Sequence, residues 1–322
     1  MARVLITGGT GFIGAHLARD CLARGDEVTV LARPGSDPWR LADVRDRIAL
    51  VRARPLETRE IAAAVLGARP ERVFHLAAAT RIPARDDLSD LGDAIAANVA
   101  PLRVLLDAVR RLDRPPQAVV RAGTLAELGE SDRVLDPDAA ERPQNGYGLS
   151  ALMGTHLLRL TRARLGLPAV TARLCLTYGG DQSADFLIPD LIRKTLAGIP
   201  VHLQRPQARR DLLHVSDCVA ALQAAADHAA ALPPVIAVST GRPFRMGQVA
   251  AMIAALTGDG PPHRPPARTV PAAADAAHVV SCRPSPELAG TGWRPRIGLA
   301  RGLRRTIAWE QARTISFQER IA

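Results

Sequence analysis

The chain has 322 residues, 47% of them hydrophobic and only 3% aromatic, enough to bury a large core with a second, smaller one beside it, and this excludes a disordered or fibrous class. Its formal net charge is +10. The basic residues are arginines apart from Lys194, and they are spread along the chain without an aromatic-interleaved cluster, a pattern that suits an anionic small ligand and argues against nucleic acid. No run approaches the ~20 apolar residues of a membrane span, and Cys21, Cys175, Cys218 and Cys282 form no Cys-x-x-Cys pair, so the expectation is a protein without membrane partner, metal or disulfide framework.

Arg3–Thr7 is an apolar run of strand character, reached too early to leave room for a signal peptide; a cytoplasmic location is expected. Gly8-Gly9-Thr10-Gly11-Phe12-Ile13-Gly14 follows. Ala15–Arg24 then has helical apolar spacing, and Val28–Leu31 is a second strand. Strand, glycine turn, helix, strand is a dinucleotide-binding βαβ unit. Gly8 permits the tight turn, Gly11 lets the backbone approach a pyrophosphate, and Gly14 lets the helix pack closely. The helix N-terminus faces the phosphate charge.

About 20 residues past the glycines an NAD-type site wants an acid for the ribose 2′-hydroxyl. Ala32-Arg33-Pro34 stands there instead. A guanidinium in place of a carboxylate suits a 2′-phosphate, so NADP(H) is the expected cofactor. Arg54, after the strand-like run Ile48–Val51, either joins that patch or is a solvated loop arginine. Val73–Ala78 reads as a buried strand, with His75 a packing residue and small residues at its exit. Thr80 and Arg81 follow at the carboxyl end, where ligands collect in such sheets. Asn98 opens a helical stretch, either capping it or ordering the site. Ala118–Val120 is another strand, leading into Arg121–Gly129. Pro143–Ser150 opens a helix through Ala151–Leu165.

With these motifs in order the chain resembles the extended short-chain dehydrogenase/reductases, the group of nucleotide-sugar epimerases, dehydratases and 4-ketoreductases. The glycine loop, His75-Leu76-Ala77-Ala78, Asn98-Val99 and Tyr147-Gly148-Leu149-Ser150 carry the likeness. So do Arg173-Leu174 with Tyr178-Gly179, Arg210–Asp217, Gly292-Trp293-Arg294-Pro295, Gly302-Leu303 and Trp309. The resemblance puts Thr124 in the place of the catalytic Ser/Thr and Tyr147 in that of the acid/base tyrosine. Hydride added to a carbonyl leaves an alkoxide that needs a proton, and a phenol held near a hydroxyl can deliver it. Candidate cofactor contacts are Gly8, Thr10, Gly11, Phe12, Ile13, Gly14, Arg33, Arg54, Leu76, Ala77, Ala78, Asn98 and Leu174. Candidate substrate contacts are Thr80, Arg81, Leu125, Phe186 and Arg210.

The likeness breaks at one position. The family pattern is Tyr-x-x-x-Lys, and Ala151 stands four residues after Tyr147. The family's lysine binds the nicotinamide ribose and lowers the tyrosine pKa. Without it the phenol is expected nearer its free value of about 10. About one molecule in a thousand would then carry phenolate at pH 7, a handicap of roughly 4 kcal/mol for any step needing the base. Epimerases and dehydratases begin by oxidising a hydroxyl and need that base; a reductase needs the acid. Dehydratases also place acidic residues after the catalytic threonine, where this chain has Leu125-Ala126.

In the second half, Phe186–Gly198 reads as a helix and Val201–Leu203 as a strand. Gln204–Ala208 replaces the family's glycine-rich loop before Arg210. Arg209 and Arg210 are candidate diphosphate ligands, and Asp217 is expected to cap a helix Cys218–Ala231. The Pro- and Gly-rich stretch 259–271 reads as a loop, a candidate flap. The expected architecture is an α/β doubly wound parallel-sheet Rossmann domain (1–178 and 209–243) with a smaller, discontinuous α/β substrate domain (179–208 and 244–322). The expected function is NADPH-dependent reduction of a ketone on a small secondary metabolite, a polyketide ketone or a nucleotide-linked 4-keto-deoxysugar, in a biosynthetic pathway. A nucleotide-sugar epimerase and a catalytically silent NADP-binding protein are the alternatives; a homodimer is compatible with either.

Overall fold

A computed structural model describes residues 1–258 and 278–319; the stretch 259–271, expected to form a flap, lies outside the described residues. Among the described residues, seven strands form the main sheet: β1 (Arg3–Thr7), β2 (Glu27–Ala32), β3 (Ile48–Arg52), β4 (Arg72–His75), β5 (Ala118–Thr124), β6 (Ala169–Leu174) and β9 (Val235–Val238). Their order is β3-β2-β1-β4-β5-β6-β9 and every pairing is parallel. Such a sheet must be apolar on both faces. Accordingly Val4, Leu5 and Ile6 are all buried, Leu5 facing one core and its two neighbours the other.

Helices α1 (Phe12–Ala23) and α7 (Val215–Asp227) cover one face; α2 (Thr58–Ala68) and α4 (Ala100–Arg110) cover the other. The strand order reverses between β1 and β4, which puts the crevice for a ligand outside their carboxyl ends. The two loops at that point touch. Gly8 takes φ +72°, and a Cβ there would lie 2.6 Å from the Ala77 nitrogen, so only glycine fits.

The second lobe is built on β8 (Arg209–His214), which pairs with β7 (Leu176–Tyr178), β10 (Pro243–Arg245) and β11 (Val279–Val280). α6 (Leu187–Leu196), α8 (Met246–Thr257) and the helix Leu299–Glu319 accompany it around a core of Tyr178, Ile188, Leu191, Ile192, Val249, Ile253, Leu303 and Ile307. All four cysteines are unpaired and buried.

Several sequence expectations are corrected here. β7 and β8, placed by sequence with the cofactor domain, hydrogen-bond in the smaller sheet, whereas α7 and β9 return the chain to the large one. Among the described residues, Val201–Leu203 pairs with no strand. Val201 and Leu203 point inward and His202 outward, an alternation that mimics a strand. β4 ends at His75 rather than running to Ala78. Asn98 closes α3 (Ser89–Asn98) instead of opening the next helix; Pro101, in the first turn of α4, has no N–H to carry the hydrogen-bond ladder back to Ala97. α7 is capped by His214, whose Nδ1 accepts from the Ser216 N–H at 3.2 Å. Asp217 instead accepts from the Arg296 and Ile297 N–H groups at 3.0 and 2.8 Å, tying the segment before the last helix to the large domain.

Candidate active site

β5 delivers Thr124 to the carboxyl edge of the sheet, and the chain turns at once into a 3₁₀ turn, Leu125–Glu127. That turn is a reciprocal capping box. The Thr124 hydroxyl accepts from the Ala126 N–H at 3.2 Å, and the Glu127 carboxylate accepts from the Thr124 N–H at 3.1 Å. Opposite it, Asn145 caps α5 (Gly146–Leu165) by accepting from the Gly148 N–H at 2.8 Å. Gly148 lets the helix start pack onto the turn, for a Cβ there would lie 2.6 Å from the Ala126 carbonyl oxygen. This contact brings the Tyr147 phenol beside the Thr124 side chain.

Asn98 orders the site. Its amide donates to the Ser150 hydroxyl at 2.9 Å and to the Ala79 carbonyl at 3.1 Å, while its oxygen accepts from the Ala79 N–H at 2.7 Å. Ser150 in turn donates to the Tyr147 carbonyl at 3.0 Å. The loop after β4 is thus clamped to the helix turn carrying the phenol. His75, Ala77, Ala78, Asn98, Arg121, Ala122, Tyr147 and Ala151 line one small cavity.

Behind the site lies a buried ionic network that sequence reasoning missed. Glu127, 0% exposed, accepts from Arg173 Nε and from the Thr155 hydroxyl, both at 2.8 Å. Arg121 donates to the Thr155 hydroxyl at 3.1 Å and to the Ala151 carbonyl at 2.9 Å, and lies 3.9 Å from Glu127. Arg173 also pairs with Glu141. The available signal was a charged residue inside an otherwise apolar strand run, at Arg121 and at Arg173. Burial without a partner would be prohibitive, so each had to find one.

Burial holds the Tyr147 phenol above its ordinary value, beyond what the missing lysine suggested; the nearby Thr124 side chain and the Arg121 charge pull the other way, and Glu127 adds to the rise. His75 is buried and neutral, pushed down to about 3 by burial and by the Arg121 charge. Its Nδ1 lies 2.8 Å from the Thr7 hydroxyl, bridging β1 and β4.

The residues present fit a dinucleotide. Among the described residues no side chain caps α1, and its first turn has no acid, leaving its first N–H groups for an anion. A Cβ on Gly11 would meet only the Gly8 carbonyl oxygen, at 3.1 Å, whereas at Gly14 it would lie 2.3 Å from that same atom. Gly11 is therefore the open rim and Gly14 the packing glycine. Arg33 directly follows β2 and is exposed. Arg54 is engaged elsewhere, its Nε donating to Glu60 at 2.8 Å. Leu174 is buried at the end of β6.

Of the substrate candidates, Arg81 lies over the Phe186 ring at 4.7 Å and pairs with Asp185 at 3.4 Å, so Arg81 and Phe186 meet across the lobes. Thr80 is exposed beside Arg81 in sequence. Leu125 is turned into the large core because the capping box rolls the turn inward. Arg210 donates to Glu130 at 2.8 Å and to the His278 carbonyl at 2.8 Å. Lys194 pairs with Asp190 at 2.8 Å on α6 and does not substitute for the absent lysine.

Residues 4–239 match the model of the NAD dependent epimerase/dehydratase family. The chain belongs to this family. A dTDP-4-dehydro-6-deoxy-D-allose reductase of Streptomyces bikiniensis is 29% identical over 231 residues, 68% of this chain and 70% of that one. A dTDP-glucose 4,6-dehydratase of Neisseria meningitidis serogroup B is 26% identical over 355 residues, covering 96% and 93%. Among solved structures, the UDP-glucose 4-epimerase of Thermus thermophilus in complex with NAD superposes with a TM-score of 0.78 at 26% identity, covering 96% of this chain and 99% of that one. This epimerase/dehydratase family member is an oxidoreductase that uses a pyridine nucleotide.

Proposed function

We propose that the enzyme is an NADPH-dependent ketoreductase acting on a nucleotide-linked keto-sugar. The observation that carries the reading is the Tyr147 phenol, brought beside Thr124 by the packing of Gly148 on the Ala126 carbonyl and held in its acid form by burial. A group that keeps its proton at pH 7 is suited to donate, not to abstract. The residues around Gly11 and Arg33 hold the dinucleotide, which supplies hydride chemistry when bound. Thr124 orients the carbonyl oxygen, and Tyr147 gives that oxygen its proton as the carbon becomes a secondary alcohol. Asn98 fixes the distance between the β4 loop and the phenol. The S. bikiniensis reductase supports a sugar nucleotide over a polyketide ketone. Arg81 and Phe186, in contact across the lobes, are the substrate-facing pair in this reading.

The test is NADPH oxidation by purified protein against a panel of nucleotide-linked keto-sugars and aromatic polyketide ketones. Consumption with a keto-sugar, giving the alcohol, is the expected result. Inversion at a sugar carbon without net cofactor consumption would select an epimerase, and NADPH binding without turnover a silent binding protein.

A further inference from the structure

α5 is cut away on the face it turns to β5. Ala151 lies one turn beyond Tyr147, and Gly154 lies three residues further along the same face. A Cβ on Gly154 would lie 2.6 to 2.9 Å from the guanidinium atoms of Arg121, so that guanidinium fills the groove the two small residues leave. Arg121 donates to the Ala151 carbonyl at 2.9 Å and is 4% exposed. Arg121, Ala151 and Tyr147 line the same cavity. The cation that family members with lysine at this helix position would send out from α5 is here sent in from the neighbouring strand.

We propose that Arg121 is the fixed cation of this site, a positioning residue that stabilises the phenolate left on Tyr147 once its proton has gone to the substrate. The inference rests on the ketoreductase reading. In that step the bound dinucleotide would supply a hydride, carrying its electron pair, to the carbonyl carbon. The π electrons move to oxygen, and that oxygen takes the phenol proton. One ketone, one reduced nucleotide and one phenol give one alcohol, one oxidised nucleotide and one phenolate, which regains its proton from water.

The surrounding charges leave Arg121 available for this. Glu127 is nearer to Arg173, at 2.8 Å, than to Arg121, at 3.9 Å, and Glu141 also pairs with Arg173. His75, facing the cavity from β4, is neutral. A guanidinium keeps its protons at any working pH. It stabilises the anion as a lysine would, but cannot relay a proton to it.

The experiment titrates Tyr147 without substrate or cofactor. The chain has two tyrosines, Tyr147 and Tyr178, so uniform fluorotyrosine labelling gives two fluorine resonances, assigned with Tyr178→Phe. Replacing Arg121→Gln should raise the Tyr147 midpoint by about one pH unit or more. Arg121→Lys, and Arg121→Gln combined with Ala151→Lys, should return it toward the wild-type value. An unchanged midpoint in folded Arg121→Gln overturns the proposal. Where that variant does not fold, nitrogen-15 shifts of the Arg121 guanidinium in the wild type decide: they should move with the Tyr147 titration and stay flat in Tyr147→Phe, and no movement in the wild type overturns the assignment. Shifted titration with no ketone reduced by the wild type would sink the ketoreductase reading alone. Ketone reduction with an unshifted titration would sink the role of Arg121 alone.

Discussion

In the ketoreductase reading proposed above, the chemistry turns on Tyr147 and the cofactor choice on Arg33. Tyr147→Phe removes the proton donor but keeps the ring. General acid catalysis contributes about 10²–10⁴-fold, so kcat should fall by that factor while the KM for NADPH stays within about twofold. Steady-state kinetics with the keto-sugar checks this, and full activity would mean that the proton comes from the substrate itself. Arg33→Asp puts a carboxylate where a 2′-phosphate is expected. Losing one charge-assisted contact and gaining a repulsion should cost NADPH about 2–3 kcal/mol, a factor of roughly 30–150 in Kd. NADH binding should improve, and fluorescence titration with both nucleotides reads the two effects. Tighter NADH than NADPH binding in the wild type would overturn the assignment to NADP(H). Tyr147 was proposed from the family resemblance and Arg33 from its place after the second strand, where an NAD-type site wants an acid. Arg121 was not, because its partners Ala151 and Thr155 lie 30 and 34 residues away.

At the scale of elements, the site is the seam where the start of α5 meets the turn after β5, and glycine decides how closely they meet. Gly148→Ala adds a methyl group 2.6 Å from the Ala126 carbonyl oxygen. In an open helix the change would gain nearly 1 kcal/mol of helix propensity. Here the clash with backbone should cost about 1–3 kcal/mol, so the net effect is destabilising. A misplacement near 1 Å at the Tyr147–Thr124 pair should also lower kcat by about 10². A urea melt beside kinetics on the same variant separates the two effects, and a more stable, fully active Gly148→Ala would show that the helix can back away freely. The glycine loop, α1 and the core strands were readable because propensity, periodicity and turn chemistry agree there. The Val201–Leu203 segment was misread because alternating burial marks a buried extended chain and cannot report whether another strand lies beside it. Asp217 was misassigned because its partners, the N–H groups of Arg296 and Ile297, come from far along the chain.

For the whole molecule, the buried histidines make stability depend on pH. His75 and His214 are pushed down to about 3 and about 4, burial being the largest cause for each. A histidine with a depressed folded pKa binds its proton more readily once unfolded. Its stabilising contribution is therefore complete above about pH 6.5 and drains away as pH falls toward the folded value, at up to about 1.4 kcal/mol per pH unit for each group. Unfolding free energy from urea melts should drop by roughly 2–3 kcal/mol per unit between about pH 6 and pH 4, beginning before the carboxylates protonate. A flat profile between pH 7 and pH 5 would show that these imidazoles are solvated.

By itself the sequence determined the βαβ start, the glycine turn before α1 and the run of apolar parallel strands, while the Thr124 and Tyr147 pair came from the resemblance to the family. The first three depend on neighbours within a turn or two of chain. Only the tertiary structure decided which sheet β7 and β8 join and that Leu125 turns inward. It alone showed that Arg54 and Arg210 are occupied by acids and that an arginine on β5 fills the gap left by Ala151. Those outcomes depend on which distant groups burial forces together, since a charge taken out of water must find its partner wherever the fold supplies one.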